Sequence, residues 1–208
     1  QSRNLMTVRA ASQTGMDRVV RTIKAMGIGD YQPYLSFALG AGETTVARLT
    51  NAYAMLVNHG RQLDAKVIDY AQDRHGKVIW PERWQPCQGC NMPNWDGRAM
   101  PRFSNEGRQL MNPMTAYQMV HITEGVIQRG TATVLADLGR PLFGKTGTTN
   151  GPTNVWFVGG SPDMVAGVYM GFDTPRSLGG YAQGGRIAAP IWKEALAPIL
   201  KDMPKEPF

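Results

Sequence analysis

The chain has 208 residues, of which 42% are hydrophobic and 18% charged, a composition typical of one globular domain with a hydrophobic core. Its formal net charge of +6 suits an acidic partner, but the lysines and arginines are scattered singly, which argues against nucleic-acid binding. The chain begins with Gln1, contains no signal segment and no run near the roughly 20 apolar residues of a membrane span, and is interpreted as a fragment.

The first part of the chain, residues 1–64, is predicted to be helical. A short helix covers residues 5–10, and Thr14 followed by Asp17 resembles a capping box that opens a second helix. A third helix is predicted over about 45–58, because apolar residues recur there at helical spacing and a glycine follows as a stop signal.

The middle part, residues 65–111, is predicted to contain a hairpin and an irregular excursion. Residues 66–71 and 77–80 have strand character and flank a polar turn. Over 81–104 the periodicity vanishes, and the segment carries Cys87 and Cys90. This pair could be half of a zinc site, a redox pair or a small disulfide. Zinc is disfavoured because a structural site needs about four ligands and the sequence has no second cysteine pair.

The last part, residues 112–208, is predicted to form a sheet flanked by helices. Asn112 and Pro113 supply the cap and first turn of a helix that Gly130 ends. The remaining elements are a short helix and three strands joined by short turns, hence an antiparallel meander, and a last helix opened by Pro190. Their predicted ranges are 132–138 for the helix and 141–148, 154–160 and 164–172 for the strands.

The segment Gly144–Thr149 fits two unrelated motifs. Together with Gly139 it matches the P-loop pattern, in which a helix begins at the Lys-Thr pair and binds phosphate at its N-terminus. Alternatively it is the Lys-Thr-Gly motif of serine acyl-transferases. The sequence Asn150-Gly151-Pro152 predicts a hairpin turn and not a helix, so Lys145 is placed on a strand.

A second motif supports the acyl-transferase interpretation. Ser2-Arg3-Asn4 alone is typical of a helix cap. Combined with Lys-Thr-Gly on a strand, however, Ser-x-Asn is the second motif of penicillin-binding proteins and class A β-lactamases, whose first motif, Ser-x-x-Lys, bears the nucleophile.

Over nearly its whole length the chain resembles the transpeptidase domain of class A, bifunctional penicillin-binding proteins, nearest to the 1A type of Gram-negative bacteria. The resemblance implies an α+β fold, an α/β sandwich, with residues 1–208 forming a single partial transpeptidase domain. The first two strands and the Ser-x-x-Lys helix would be missing, so the strand 164–172 would have an open edge, and we expect the chain alone to aggregate or fold poorly. The segments that carry the resemblance are 112–117, 126–132, 144–150, 155–159 and 167–173.

The resemblance also implies roles for individual residues. Ser2 would pass a proton between the nucleophile and the leaving amine, and Asn4 would hold the amide of the acyl donor. Lys145 would keep the site electropositive. Thr146 and Thr148 would bind the carboxylate of a D-alanyl-D-alanine stem peptide or of a penicillin, and the Thr148 N–H would be one of two oxyanion donors. Gly147 would let the substrate approach the strand edge closely.

The resemblance implies a periplasmic enzyme anchored in the inner membrane by an N-terminal segment outside this chain, with no cofactor and no metal. Its partners would be peptidoglycan stem peptides, β-lactam antibiotics and an upstream part of the same protein that holds Ser-x-x-Lys and a glycosyltransferase domain. In an oxidising periplasm, Cys87 and Cys90 would form a disulfide. The alternatives are a D,D-carboxypeptidase or β-lactamase relative, a non-catalytic binding module with the penicillin fold and, more distantly, a P-loop NTPase.

Overall fold

The computed structural model describes residues 2–68, 70–80 and 107–208. The predicted excursion at 81–104, with Cys87 and Cys90, lies outside the described residues.

The chain forms two compact units. The larger combines Gln1–Leu63 with Arg108–Phe208, and the smaller is Asp64–Gly107. Within the smaller unit, the described structure is a two-stranded antiparallel hairpin. In chain order, the helices and strands are α1 (Asn4–Thr14), α2 (Met16–Ala25), α3 (Val46–Val57), β1 (Ala71–Gln72), β2 (Val78–Trp80), α4 (Pro113–Arg129), β3 (Phe143–Thr148), β4 (Asn154–Gly160), β5 (Val165–Gly171) and α5 (Ala188–Lys201).

The larger unit is built on a three-stranded sheet in the order β3-β4-β5, with both pairs antiparallel. This is the predicted meander. Because side chains alternate along each strand, the register assigns every residue to one of two faces. Lys145 and Gly147 pair with Val158 and Trp156 respectively, so the side chains of Lys145, Val158 and Trp156 lie on one face, the face on which Gly147 presents no side chain.

The hydrophobic core lies on the opposite face of the sheet, under α5. Trp192 of this helix is 1% exposed, packs edge-to-face on Phe157 of β4 at 5.5 Å between ring centroids, and donates its indole N–H to the Ala166 carbonyl at 3.1 Å. The indole thus buries a large apolar surface with its one polar group satisfied. The predicted packing of the last helix across the sheet is confirmed, although the helix begins at Ala188 and Pro190 is its third residue.

Helix α3 covers part of the Lys145 face. A Cβ at Gly167 of β5 would lie 2.3 Å from Thr50 Oγ1 and 3.1 Å from a Val46 methyl carbon, so a glycine is needed for this close approach. At the start of β3, Phe143 is fully buried, with its ring 6.0 Å from that of Tyr53. Helix α4 begins as predicted, because the Asn112 side chain accepts a hydrogen bond from the Met114 N–H at 2.8 Å and Pro113 occupies the first turn.

Two local predictions are wrong. Thr14 does not cap α2: it is the last residue of α1, where its hydroxyl donates to the Ala10 carbonyl, and Gly15 with φ +88° separates the two helices. The first strand of the hairpin is also shorter than predicted, since β1 begins at Ala71. Val67 is fully exposed, so extending the strand to this residue would bury no apolar surface. A two-stranded hairpin without such a surface is only marginally stable.

Among the described residues, no helix is both long enough and apolar enough to cross a membrane.

Replacing Trp192 by Ala is expected to lower the free energy of unfolding by about 3–5 kcal/mol, because it opens a cavity under the sheet. The adjacent Ile191 is 45% exposed, so Ile191→Ala should cost less than about 1 kcal/mol and serves as the control on the same helix. Denaturant unfolding of the full-length protein, followed by circular dichroism, measures both; equal losses would contradict this core.

Candidate active site

A cleft of about 1050 Å³ lies on the Lys145 face of the sheet. One wall is the sheet, with β3 at its edge, and the other comes from α3 and the segment 28–45 that precedes it. Among the residues predicted to form the site, Asn4, Lys145, Thr146, Gly147 and Thr148 all line the cleft. The Ser-x-Asn and Lys-Thr-Gly motifs, 143 residues apart in sequence, therefore meet at one place.

The contact that joins the two motifs is a hydrogen bond from Lys145 to Ser2. The Lys145 Nζ donates to the Ser2 Oγ at 3.1 Å, across 143 residues of sequence, and to the Thr146 carbonyl at 3.0 Å. Since an ammonium group is donor-only, it engages a lone pair of Ser2 and leaves the hydroxyl proton of Ser2 available for another acceptor.

Lys145 is on a strand, as the hairpin signal in Asn150-Gly151-Pro152 predicted. A P-loop needs a helix that begins at this lysine and presents free N–H groups to a phosphate. Strand β3 instead runs from Phe143 to Thr148 and pairs with β4 along its length. The P-loop interpretation of Gly139–Thr146 is therefore wrong.

The threonines of the motif point away from Lys145, yet they belong to the same cleft. Thr146 and Thr148 alternate with Lys145 and Gly147, so they lie on opposite faces. In the described sheet β3 pairs with β4 alone, and side chains on both faces of an edge strand can be reached from its open side. A ligand along this edge would meet the lysine and both threonine hydroxyls.

Burial gives the site its electrostatic character. It lowers the pKa of Lys145 below the 10.5 usual for lysine, because partial desolvation disfavours the ammonium form. Burial also raises the pKa of Tyr53, another residue of the cleft wall, to about 12. Tyr53 therefore stays protonated at neutral pH and is not suited to be a general base.

Aromatic residues form much of the cleft and were not predicted as part of a site. Trp156 of β4 pairs with Gly147 of β3. The centroid of its ring is 4.7 Å from that of Tyr169 on β5. On the other wall Tyr31 stacks on Phe37 at 4.9 Å. These four residues all line the cleft, and the strand register is the signal that could have placed Trp156 next to the Lys-Thr-Gly motif.

The sequence profile of the penicillin-binding protein transpeptidase domain matches residues 1–197. The chain belongs to this family. Penicillin-binding protein 1A of Rickettsia bellii is 38% identical over 211 aligned positions, which cover all of this chain and 27% of that protein. Other curated relatives, among them that of Neisseria flavescens at 37% identity, carry the same name. The 1A type was the resemblance expected from the sequence.

Solved structures show the same fold. Penicillin-binding protein 1A from Haemophilus influenzae superposes with a TM-score of 0.82 at 24% identity, over 100% of this chain and 34% of that one. The D,D-transpeptidase domain of a peptidoglycan glycosyltransferase from Eggerthella lenta gives 0.63 at 19% identity, over 94% and 51% of the two chains. The chain has the penicillin-binding transpeptidase fold, an α+β arrangement with an antiparallel three-stranded sheet, as predicted.

Gly147→Ala is expected to lower the free energy of unfolding by about 1–2 kcal/mol, because the added Cβ would lie 3.1 Å from the Trp156 Cβ and push the indole from its place beside the cleft. Gly180→Ala is the matched control, since a Cβ there meets nothing within 4 Å and the backbone is not left-handed. Denaturant unfolding of both variants measures this. Equal free energies of unfolding for the two variants would show that Trp156 moves aside without cost.

Proposed function

We propose that these residues belong to a peptidoglycan D,D-transpeptidase that cross-links stem peptides ending in D-alanyl-D-alanine through a serine acyl-enzyme, and that β-lactams acylate the same serine. The observation that carries the proposal is the hydrogen bond to Ser2 from Lys145, a residue of the cleft wall, with Nζ and Oγ 3.1 Å apart. Membership of the penicillin-binding transpeptidase family supports the same chemistry.

In this proposal Lys145 and Ser2 act together on the proton of the reaction. The ammonium group of Lys145 donates to Ser2, which fixes the direction of the serine hydroxyl proton and lets Ser2 deliver it to the leaving amine. Ser2 would regain a proton from the nucleophilic serine, so it ends each acylation in its starting state. Asn4, at the first turn of α1 and on the cleft wall, would hold the amide of the acyl donor.

The edge strand β3 would bind the rest of the acyl donor. Thr146 and Thr148 would donate their hydroxyls to the terminal carboxylate, which the charge of Lys145 also attracts. The N–H of Thr148 would be one of two oxyanion donors, a contribution of a few kcal/mol to the transition state. Gly147 keeps the strand narrow where the substrate would pass, and it has no room for a larger side chain beside Trp156.

The nucleophile of this proposal lies outside these residues, because no Ser-x-x-Lys occurs in the 208-residue sequence. The chain spans 27% of the length of its relative from Rickettsia bellii. We propose that the rest of the protein supplies Ser-x-x-Lys, a glycosyltransferase domain and a membrane anchor that places the site in the periplasm, and that residues 1–208 form part of one transpeptidase domain. A disulfide between Cys87 and Cys90 remains a prediction.

Two alternatives use the same fold. In a D,D-carboxypeptidase or β-lactamase, water takes the place of the acceptor amine, and product analysis with and without an acceptor peptide distinguishes them. A non-catalytic binding module would lack acylation altogether.

A fluorescent penicillin should label the full-length protein covalently. Lys145→Ala is expected to slow labelling by about 100-fold or more, because the cation that attracts the carboxylate and the hydrogen-bond donor to Ser2 are lost together. Lys201→Ala, at the exposed end of α5, is the matched control and should label at the normal rate. Gel fluorescence over time measures the rates. An unlabelled full-length protein would overturn the proposal, and normal labelling of Lys145→Ala would remove this lysine from the mechanism.

The labelling rate should fall as the pH rises through the pKa of Lys145, which burial lowers below 10.5. Below that pKa the ammonium is charged and attracts the carboxylate of penicillin, and above it the amine is neutral. Lys145→Arg keeps its charge throughout this range, so its alkaline decline should move to higher pH or disappear. Rate constants measured between pH 6 and about 10.5 test this, and identical alkaline limbs in both proteins would assign the decline to another group.

A further inference from the structure

The hydroxyl of Thr148 already accepts a hydrogen bond from the protein. The backbone N–H of Gly184 donates to Thr148 Oγ1 at 3.0 Å. A threonine hydroxyl has a single proton and two lone pairs. Since the backbone amide occupies a lone pair, the proton of Thr148 is free to be donated to a ligand.

Thr146 has a partner of the same kind, contributed by a side chain outside the motif. The hydroxyl oxygens of Thr131 and Thr146 are 2.6 Å apart, a short distance for two neutral hydroxyls, and either could be the donor. When Thr131 donates, the proton of Thr146 is free, as that of Thr148 is. When Thr146 donates, its proton is directed away from any ligand.

The backbone of Thr131 is fixed by packing on both sides. It follows Gly130, the residue that ends α4, and the next N–H, from Ala132, donates back to the Val126 carbonyl at 3.0 Å. From the other side, Gly185 packs against the Thr131 carbonyl so closely that a Cβ at Gly185 would lie 2.0 Å from that oxygen.

The adjacent Gly184 is equally constrained. A Cβ there would lie 2.5 Å from the Trp156 carbonyl and 2.7 Å from the Gly147 carbonyl, so only glycine lets this backbone reach the strand. The Gly184-Gly185 pair therefore contacts both the Lys-Thr-Gly strand and Thr131. The groups that bond to the two threonine hydroxyls, the Gly184 N–H and the Thr131 Oγ1, are therefore packed against each other through Gly185, on the face of β3 opposite Lys145.

We propose that Thr131 is a positioning residue for recognition of the substrate carboxylate: it donates its hydroxyl proton to Thr146, so that Thr146 donates to the ligand, just as the Gly184 N–H frees the proton of Thr148. This inference rests on the proposed function and extends it to a residue outside the three motifs. An approaching carboxylate, which only accepts hydrogen bonds, selects the arrangement in which both threonines donate toward it.

The test compares Thr131→Val with Thr131→Ser in the full-length protein. Valine keeps the shape of threonine and removes the hydroxyl, whereas serine keeps the hydroxyl. The probes are a penicillin and its methyl ester, which lacks the negative charge, and the readout is the second-order acylation rate constant for each. Thr131→Val is expected to slow acylation by the penicillin about 5- to 20-fold, and acylation by the ester less than about 2-fold. Thr131→Ser should stay within about 3-fold of the unsubstituted protein for both.

Loss of discrimination between the two probes is the signature, since a merely structural role for Thr131 would slow both equally. Equal slowing by Thr131→Val, or no slowing, would overturn the inference while leaving the proposed function intact. Absence of acylation in the unsubstituted protein would overturn both. Thr133→Val, two residues away and exposed, is the control and should change neither rate. Thermal melting of each variant verifies that the fold is retained, as expected for the exposed Thr131 side chain.

Discussion

The register of β3 against β4 and β5 is the constraint on which the site depends. Alternation along a strand places Lys145 and Gly147 on one face and Thr146 and Thr148 on the other, and a shift of one residue would exchange the two sets. The core fixes this register, because the opposite face of the sheet must present its apolar side chains to Trp192 of α5. A packing requirement on one face thereby determines which face of β3 carries the lysine and which carries the two threonines.

The same arrangement explains how a partly buried lysine is tolerated. Desolvation disfavours its ammonium form, and the hydrogen bonds to Ser2 Oγ and the Thr146 carbonyl compensate only in part, since both acceptors are neutral. A cleft with an electropositive group and incomplete compensation attracts an anion, and its aromatic walls reduce the screening of that attraction. In the proposed function, a bound carboxylate would compensate for the desolvation of the Lys145 ammonium.

Much of the fold could be predicted from the sequence, because its signals are local. The Asn-Pro start of α4, the Asn150-Gly151-Pro152 turn and the β-branched and aromatic residues of β4 each depend on a few neighbouring residues. The prediction failed at Thr14, where local chemistry offers a threonine two choices. The Thr14 hydroxyl can either cap α2 or donate to a carbonyl of α1, the helix it ends. Gly15 ends α1 and precedes α2 in either case.

The site was predictable in its motifs but not in its supporting contacts. Ser2, Asn4 and the Lys-Thr-Gly strand are recognisable as short patterns, whereas Thr131 and Gly184 act on Thr146 and Thr148 across 15 and 36 residues of sequence. Nothing in a short pattern states which way a hydroxyl proton points, because that depends on the partner that occupies the lone pair. In this fold the partners come from the end of α4 and from a glycine pair with no room for a side chain. The availability of the Thr148 proton at the strand edge is therefore a property of tertiary packing, and we propose the same for Thr146.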